Sequence, residues 1–416
     1  MAMAIAMKIG GSAAAYLVVP LFGGLAVWFT YRLGARIADA RAGMLAAVLL
    51  AFSPIFVFQS LEPMSDVPAT MWWLLAWVLA LSPRGGATFA AGLSVSAALL
   101  TRPNLVPLSL VLTAVSALQA PQLKRAASFV LGMLPGCVAV AALNAHWYGS
   151  PLRSGYGTLD LFYAWDHAVP NLRHYWAWMI ELDATVVLLA IAAPFVLRAK
   201  AAAAAMLAFF GALVGCYLFY LVYDTWPFFR FLLPGLPLVL VLAAAATVWL
   251  VSRLPLVCRG AAIFLLCTLF PIAAVQTAAR LTVFTVQRSE QRYVAVGEFV
   301  AAALPANAIV LTVIQSGSVR LYGGRPTLRW DQLEPERLDA TIDGLRTAGY
   351  EPYLLLEEWE DPIFRARFGT SSVAGNADWP SAIEYYGPVN VRVLRFGDRE
   401  AYFRGTRLLP RAVPMR

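Results

Sequence analysis

Two carboxylates stand four residues apart in Leu61-Glu62-Pro63-Met64-Ser65-Asp66-Val67-Pro68, set between two long apolar runs. Only eight acidic residues precede position 280, so an acid pair at this place is a notable expense. Charges at a membrane edge are costly and are retained mainly where they work. A carboxylate there can take a proton from a hydroxyl or hold a divalent cation, Mg or Mn. Glu62 and Asp66 are therefore the candidate catalytic residues, although an acid just ahead of an apolar run also suits a helix cap. Two arginines share the pattern of a polar residue at the end of an apolar run: Arg102 in Thr101-Arg102-Pro103-Asn104, and Arg230 in Trp226-Pro227-Phe228-Phe229-Arg230-Phe231-Leu232-Leu233-Pro234. A guanidinium pairs well with phosphate oxygens, which makes both candidates for a phosphate group, with snorkelling as the plainer role for Arg102. Asp224 is a candidate substrate contact and is expected to partner Arg230, with a solvated loop acid as its plainer role. The segment His146-Trp147-Tyr148-Gly149-Ser150-Pro151-Leu152-Arg153-Ser154-Gly155-Tyr156-Gly157 adds His146, Arg153 and Tyr156 as candidate substrate contacts. Together these suit a lipid-borne, anionic substrate.

The elements that must position these residues are mostly membrane spans. Hydrophobic residues make up 60% of the chain and charged ones 13%, and the mean hydropathy is +0.67, well away from a soluble domain. Apolar runs of roughly bilayer length fall at 13–31, 43–60, 67–82, 87–101, 104–119, 126–145, 176–197, 203–223, 231–251 and 260–279. The reading is a mainly α, polytopic membrane protein of about ten transmembrane helices over residues 1–280. The runs at 87–101 and 104–119 are short enough to be tilted, paired or partly re-entrant.

Orientation follows from the basic loop residues, which are kept on the cytoplasmic side. One set of alternate loops holds Arg32, Arg36, Arg41, Arg84, Lys124, Arg125, Arg198, Lys200, Arg253 and Arg259. The other set holds Arg102, Arg153, Arg173 and Arg230 together with Glu62, Asp66, Asp160, Asp166 and Asp224. The acidic pair then faces outward from an inner (cytoplasmic) membrane, and so do both termini. An outward N-terminus whose first residues are neither a signal peptide nor a charged start implies a helix and loop upstream of this chain.

Past Arg280 the chain changes character. Seventeen arginines counted from Arg280 are nearly balanced by sixteen acids, and apolar runs shorten to strand length. Residues 281–416 are read as a soluble, external (periplasmic) α/β domain, with strands at 308–314, 352–357 and 389–396 and an amphipathic helix at 335–348. The near-balance argues against a nucleic-acid surface, and the +8 net charge of the whole chain comes mostly from the cytoplasmic loops. The four cysteines, Cys137, Cys216, Cys258 and Cys267, all lie before this domain and lack metal-ligand spacing. His146, His167 and His174 cluster in one loop region without an HxxxH or HExxH arrangement, which favours structural or substrate contacts over metal ligation. There is no glycine-rich nucleotide cradle, no Gly-x-Ser-x-Gly elbow and no internal repeat.

The order of Tyr-Arg-Leu-Gly-Ala-Arg at 31–36, Ala-Gly-Met-Leu-Ala-Ala at 42–47, Phe52-Ser53-Pro54, Met64-Ser65-Asp66 opening a span, and Arg230-Phe231-Leu232-Leu233-Pro234-Gly235-Leu236-Pro237 resembles the GT-C superfamily. Within it, the sequence is similar to glycosyltransferase family 39, the relatives of protein mannosyltransferases and of the lipid A aminoarabinose transferase. The resemblance spans most of residues 13–250. It implies inverting transfer of a sugar from a polyprenyl-phosphate donor to a lipid, glycan or protein acceptor on the outer face. It casts Asp66 as the acid near the carrier phosphate, sometimes linked to a metal ion, and Arg230 as the basic residue holding that phosphate. Family members carry an essential acid in a large loop after their first helix, and this chain begins beyond that loop. Two other readings share the features: a lipid-linked saccharide transporter or polymerase, and a catalytically inactive carrier-binding member. A transferase should gather Asp66, Arg102 and Arg230 at one outward cavity, whereas a transporter should line both halves of a central path with polar groups.

Overall fold

A computed structural model of the 416-residue chain describes residues 2–84, 86–119, 121–155, 162–183, 185–387, 389–408 and 411–414. Contacts divide it into two compact units, Met1–Val283 and Phe284–Arg416.

The first unit is helical: α1 (Ala2–Ile37), α2 (Ala40–Phe52), α3 (Pro54–Leu61), α4 (Asp66–Ala80), α5 (Ala87–Thr101), α6 (Leu108–Ala117), α7 (Gln122–Tyr148), α8 (Ala168–Asp183), α9 (Leu189–Val196), α10 (Lys200–Leu218), α11 (Leu236–Val251) and α12 (Leu256–Arg280). Four of these, α1, α7, α10 and α12, are long and apolar enough to cross a bilayer, and six spans result if two bent pairs each count as one. The apolar α4, α5 and α6 are shorter. Lipid is the natural environment of this surface: along α12, Phe264, Leu265, Leu269 and Ile272 are all more than half exposed, a stripe that water would penalise and hydrocarbon would not.

Breaks in the helices come where the sequence forbids continuation. Pro54 follows Ser53 and bends α2 from α3 by 58°, because proline lacks the N–H and crowds the residue before it. A 3-10 segment, Trp226–Leu232, meets α11 at 84°, with Pro227, Pro234 and Pro237 in and around the bend. The apolar run at 176–197, expected to be continuous, stops as α8 after Asp183 and resumes through a 3-10 turn, Thr185–Leu188, into α9. Helices α5 and α7 pack closely on small residues. A methyl group on Gly92 would strike the Phe129 carbonyl, and one on Gly132 would strike that of Phe89, the close approach that drives helix association in lipid.

The second unit runs α13 (Val286–Ala303), β1 (Ala308–Leu311), α14 (Ser316–Leu321), β2 (Thr327–Leu328), α15 (Leu338–Thr347), β3 (Glu351–Glu357), α16 (Glu360–Phe368), β4 (Ile383–Tyr386), β5 (Val391–Arg395), α17 (Phe396–Phe403) and β6 (Arg411–Pro414). Its sheet has the order β2-β1-β3-β5-β4-β6. Strands β2, β1 and β3 are parallel, β5 is antiparallel to both β3 and β4, and β6 is parallel to β4. Side chains alternate across a strand, and β3 uses this alternation to build two cores. Leu354 and Leu356 pack with Leu338, Ile342, Phe364 and Trp379 on one face. Tyr353 and Leu355 pack with Val296, Val300 and Val319 on the other. The segments read from the sequence as strands at 308–314, 352–357 and 389–396 and as a helix at 335–348 coincide with β1, β3, β5 and α15. Strands β2, β4 and β6 were not anticipated, since two to four residues carry too little periodicity.

Candidate active site

Asp66 is the first residue of α4 and is buried there, where the positive end of the helix dipole favours an anion. Arg102 follows the last residue of α5, and its Nη1 donates to Asp66 Oδ1 in an ion pair. Side-chain exposures of 4% for Asp66 and 12% for Arg102 make this a largely desolvated pair, so each charge depends on the other. Arg102 Nη2 donates to the Tyr217 hydroxyl at 2.9 Å. Asn104 Nδ2 donates to the same oxygen at 2.7 Å. One phenol therefore holds the guanidinium by the terminal nitrogen that the carboxylate leaves free.

Tyr217 is itself held in place. It lies near the end of α10, where carbonyls run out of intrahelical donors. Asn171 of α8 supplies them, its Nδ2 lying 3.4, 3.1 and 2.6 Å from the carbonyls of Tyr217, Leu218 and Tyr220. The Tyr175 hydroxyl donates to the Tyr217 carbonyl at 3.2 Å. The Tyr217 ring stacks on Phe231, with centroids 4.7 Å apart.

Arg230 completes the circuit. Its guanidinium carbon lies 5.3 Å from the Phe228 ring and 5.5 Å from the Phe231 ring, and Nη1 is 2.6 Å from Met64 Sδ. Met64 is two residues before Asp66 in the turn that joins α3 to α4. The expected pairing of Asp224 with Arg230 is not what the structure shows. The exposed Asp224 carboxylate lies 3.8 Å from His174 Nε2, because the 3-10 segment carries Arg230 back toward the Met64 turn. Among the described residues Arg230 has no carboxylate partner, whereas the charge of Arg102 is taken up by Asp66.

The remaining candidates are arranged more loosely. Glu62 caps the C-terminal end of α3, half-buried, on the same turn as Asp66. His146 and Arg153 are exposed at the end of α7 and in the turn beyond it. Arg125 in the first turn of α7 donates to the carbonyls of Ala80 and Ser82, so α7 starts at the far end of α4 and its last turn, with His146, points to the Asp66 end. Arg36 also reaches that far end, donating to the Val78 carbonyl at 2.7 Å. Arg36 and Arg125 on one side and the Asp66–Arg102 pair on the other thus occupy opposite ends of α4. His167 Nδ1 sits 3.2 Å from the Phe219 carbonyl, and His174 stacks on Trp178, both structural contacts. Tyr156 lies outside the described residues. Among the described residues no three His, Cys, Asp or Glu side chains come together, and the Asp66 carboxylate is engaged by Arg102.

At one end of its helices the first unit holds a carboxylate paired with an arginine and, among the described residues, a second arginine without a carboxylate partner; a small mixed sheet follows in the second unit. Residues 1–147 match the family model described as dolichyl-phosphate-mannose-protein mannosyltransferase. The fold is shared with the crystal structure of ArnT from Cupriavidus metallidurans in the apo state, at a TM-score of 0.57 and 12% identity, over 94% of this chain and 86% of that one. The same protein bound to undecaprenyl phosphate matches at a TM-score of 0.56 with the same identity and coverage. No curated protein matches by sequence. The GT-C resemblance read from the sequence is thus borne out in the fold.

Tyr217, Asn104 and Asn171 were not singled out from the sequence. Tyr217 is one aromatic within an apolar helix, and nothing local marks it. Asn104 had a weak signal, standing two residues after Arg102 in a break between apolar runs.

Proposed function

We propose that this chain transfers a sugar, with inversion, from a polyprenyl-phosphate donor to an acceptor on the outer face of an inner (cytoplasmic) membrane. The observation that carries the reading is the division of labour between the arginines: Arg102 is spent on Asp66, and Arg230 is left to meet an anion beside it. In this reading Arg230 holds the carrier phosphate by charge-assisted hydrogen bonds, with the faces of Phe228 and Phe231 fixing its plane. Arg102 is a positioning residue. It holds Asp66 Oδ1 and turns Oδ2, which meets no donor among the described residues, toward the acceptor.

The acceptor oxygen attacks the anomeric carbon opposite the phosphate, and a new C–O bond forms as the bond from carbon to phosphate oxygen breaks. The bonding pair leaves on the polyprenyl phosphate, whose growing charge Arg230 balances. The acceptor proton passes to Asp66, acting as general base. Glu62 supplies a second carboxylate on the same turn. His146, Arg153 and Tyr156 are proposed acceptor-side contacts. In the same reading about ten helices cross the membrane, with Asp66 outward and residues 281–416 external. The ArnT structure with undecaprenyl phosphate supports a polyprenyl carrier as the donor lipid.

The test is sugar transfer by the purified protein from radiolabelled polyprenyl-phosphate sugars, with Asp66→Asn and Arg230→Ala alongside. Transfer that is lost in Asp66→Asn while carrier binding survives, and carrier binding that is lost in Arg230→Ala, is the expected outcome. Carrier binding without transfer from any donor would move the assignment to a carrier-binding or transport role.

A further inference from the structure

The second unit holds a hollow that the transfer chemistry does not use. Its volume is about 660 Å³, and its lining includes Val313, Trp330, Asp331, Trp359, Glu360 and Arg367. Val313 lies two residues past β1, Trp330 and Asp331 lie just past β2, and Trp359 and Glu360 lie just past β3. All three parallel strands thus send their carboxyl ends to one place. The chain passes from β1 to β2 on one side and then to β3 on the other, so the strand order reverses at β1. A crevice outside the carboxyl ends of parallel strands, at such a reversal, is where open α/β sheets take their ligands. The volume falls within the ~300–1,000 Å³ of small-molecule sites.

The lining is built with more rigidity than a surface depression needs. Trp359 is 46% exposed, yet its indole N–H donates to Glu357 Oε2 at 2.8 Å. Glu357 is fully buried and is held in turn by Arg292 Nε at 3.0 Å and Gln315 Nε2 at 2.9 Å. The only polar atom of that ring is therefore turned inward, and what remains outside is an aromatic face locked in one plane. Trp330, 4% exposed, has an indole N–H with no acceptor among the described residues, and a buried donor left unmade costs about 1–3 kcal/mol. Around these rings the charges nearly cancel. Asp331 is engaged by Arg329 at 3.0 and 2.5 Å, Glu360 accepts from the backbone N–H groups of Glu357 and Ile314, and Arg367 donates to the Leu333 carbonyl at 2.7 Å.

We propose that this hollow binds an uncharged saccharide, with the C–H face of one sugar ring on Trp359 and hydroxyl groups reaching Asp331 and Arg367. A planar, pre-oriented apolar face beside donors and acceptors of both kinds matches a molecule that is apolar on its ring faces and hydroxylated at its edge. Charges of the two signs are equal in number over Arg329, Asp331, Glu360 and Arg367, which favours a ligand without net charge. The binding does not depend on the transfer reaction proposed above, since it is read without turnover.

The experiment is titration of the whole purified protein, in a detergent without a sugar headgroup, with maltotriose, cellotriose and chitotriose, followed by tryptophan fluorescence and saturation-transfer NMR. At least one trisaccharide should bind, with saturation transfer strongest on its ring C–H protons. Trp359→Ala should weaken that binding at least tenfold, the equivalent of about 1.4 kcal/mol. Trp359→Phe, which keeps a ring but loses the tether to Glu357, should weaken it less. An unchanged melting temperature for Trp359→Phe guards against simple unfolding as the cause. Failure of all three sugars to bind the folded protein would overturn the proposal. So would equal binding by Trp359→Ala, or capture of short peptides in a Trp359-dependent way with no sugar bound.

Discussion

Removal of the Arg102 side chain leaves Asp66 charged, 4% exposed and without its partner. Breaking a buried ion pair from one side costs about 3–5 kcal/mol, so Arg102→Met should destabilise the first unit by that amount. Asp66→Asn should cost less, about 1–3 kcal/mol, since it strands a guanidinium that still donates to the Tyr217 hydroxyl and has more access to water. The double variant removes both charges, and replacing a whole buried pair is often close to neutral. A cycle of these variants should then yield a coupling of about 4–8 kcal/mol. A unit of this size shifts its melting temperature by roughly 2 °C per kcal/mol, which puts Arg102→Met about 6–10 °C below the parent and the double variant within a few degrees of it. The assay is intrinsic-fluorescence melting in one detergent at one scan rate, because membrane proteins unfold irreversibly and only matched scans compare. Additivity of the two single effects within ~0.5 kcal/mol would show that the pair is no mutual support and would refute the argument. Sugar transfer should be absent in the double variant despite its recovered stability, which separates holding the fold from doing the chemistry.

Three further outcomes follow from the geometry. Tyr217→Phe takes the shared acceptor from half-buried Arg102 and exposed Asn104; melting should fall by the equivalent of about 0.5–1.5 kcal/mol, while an unchanged melt would remove Tyr217 from the site. Arg230→Ala should weaken undecaprenyl phosphate binding about 10–150-fold, the equivalent of 1.5–3 kcal/mol for a hydrogen bond to a charged group, with Arg230→Lys intermediate; equal binding by all three proteins would rule out a phosphate role. In the second unit, burial pushes the Glu360 carboxyl up to about 7, with Glu357 and Asp331 adding to the rise and two backbone N–H bonds opposing it. Below an ordinary carboxyl value of 4.5 both folded and unfolded chains hold the proton. Between there and about 7 only the folded chain keeps it, so stability should fall with rising pH by up to about 3 kcal/mol and then level. Glu360→Gln should flatten that slope whatever it does to absolute stability, and a titration midpoint near 4.5 by NMR would contradict the reading.

Much of the membrane unit was legible in the sequence because the forces that define it are local. An apolar run long enough for a bilayer, a proline that ends it, a carboxylate at its mouth and arginines at alternate loops are properties of neighbouring residues. The same holds for β1, β3, β5 and α15, whose periodicity of two or nearly four shows within one segment. Asp66, Arg102 and Arg230 stood out as polar residues at the ends of apolar runs, and the structure gathers them at one end of the helices. Their relationships were another matter. That Arg102 neutralises Asp66 across 36 positions, that Tyr217 braces Arg102 across 115, and that Arg230 turns to Met64 instead of Asp224 depend on where helices bend and which small residues let them approach. In the second unit the hollow past β1, β2 and β3 exists only once strands far apart in sequence lie side by side. Residue types set what chemistry is possible, and long-range packing decides which charges cancel and which remain to act.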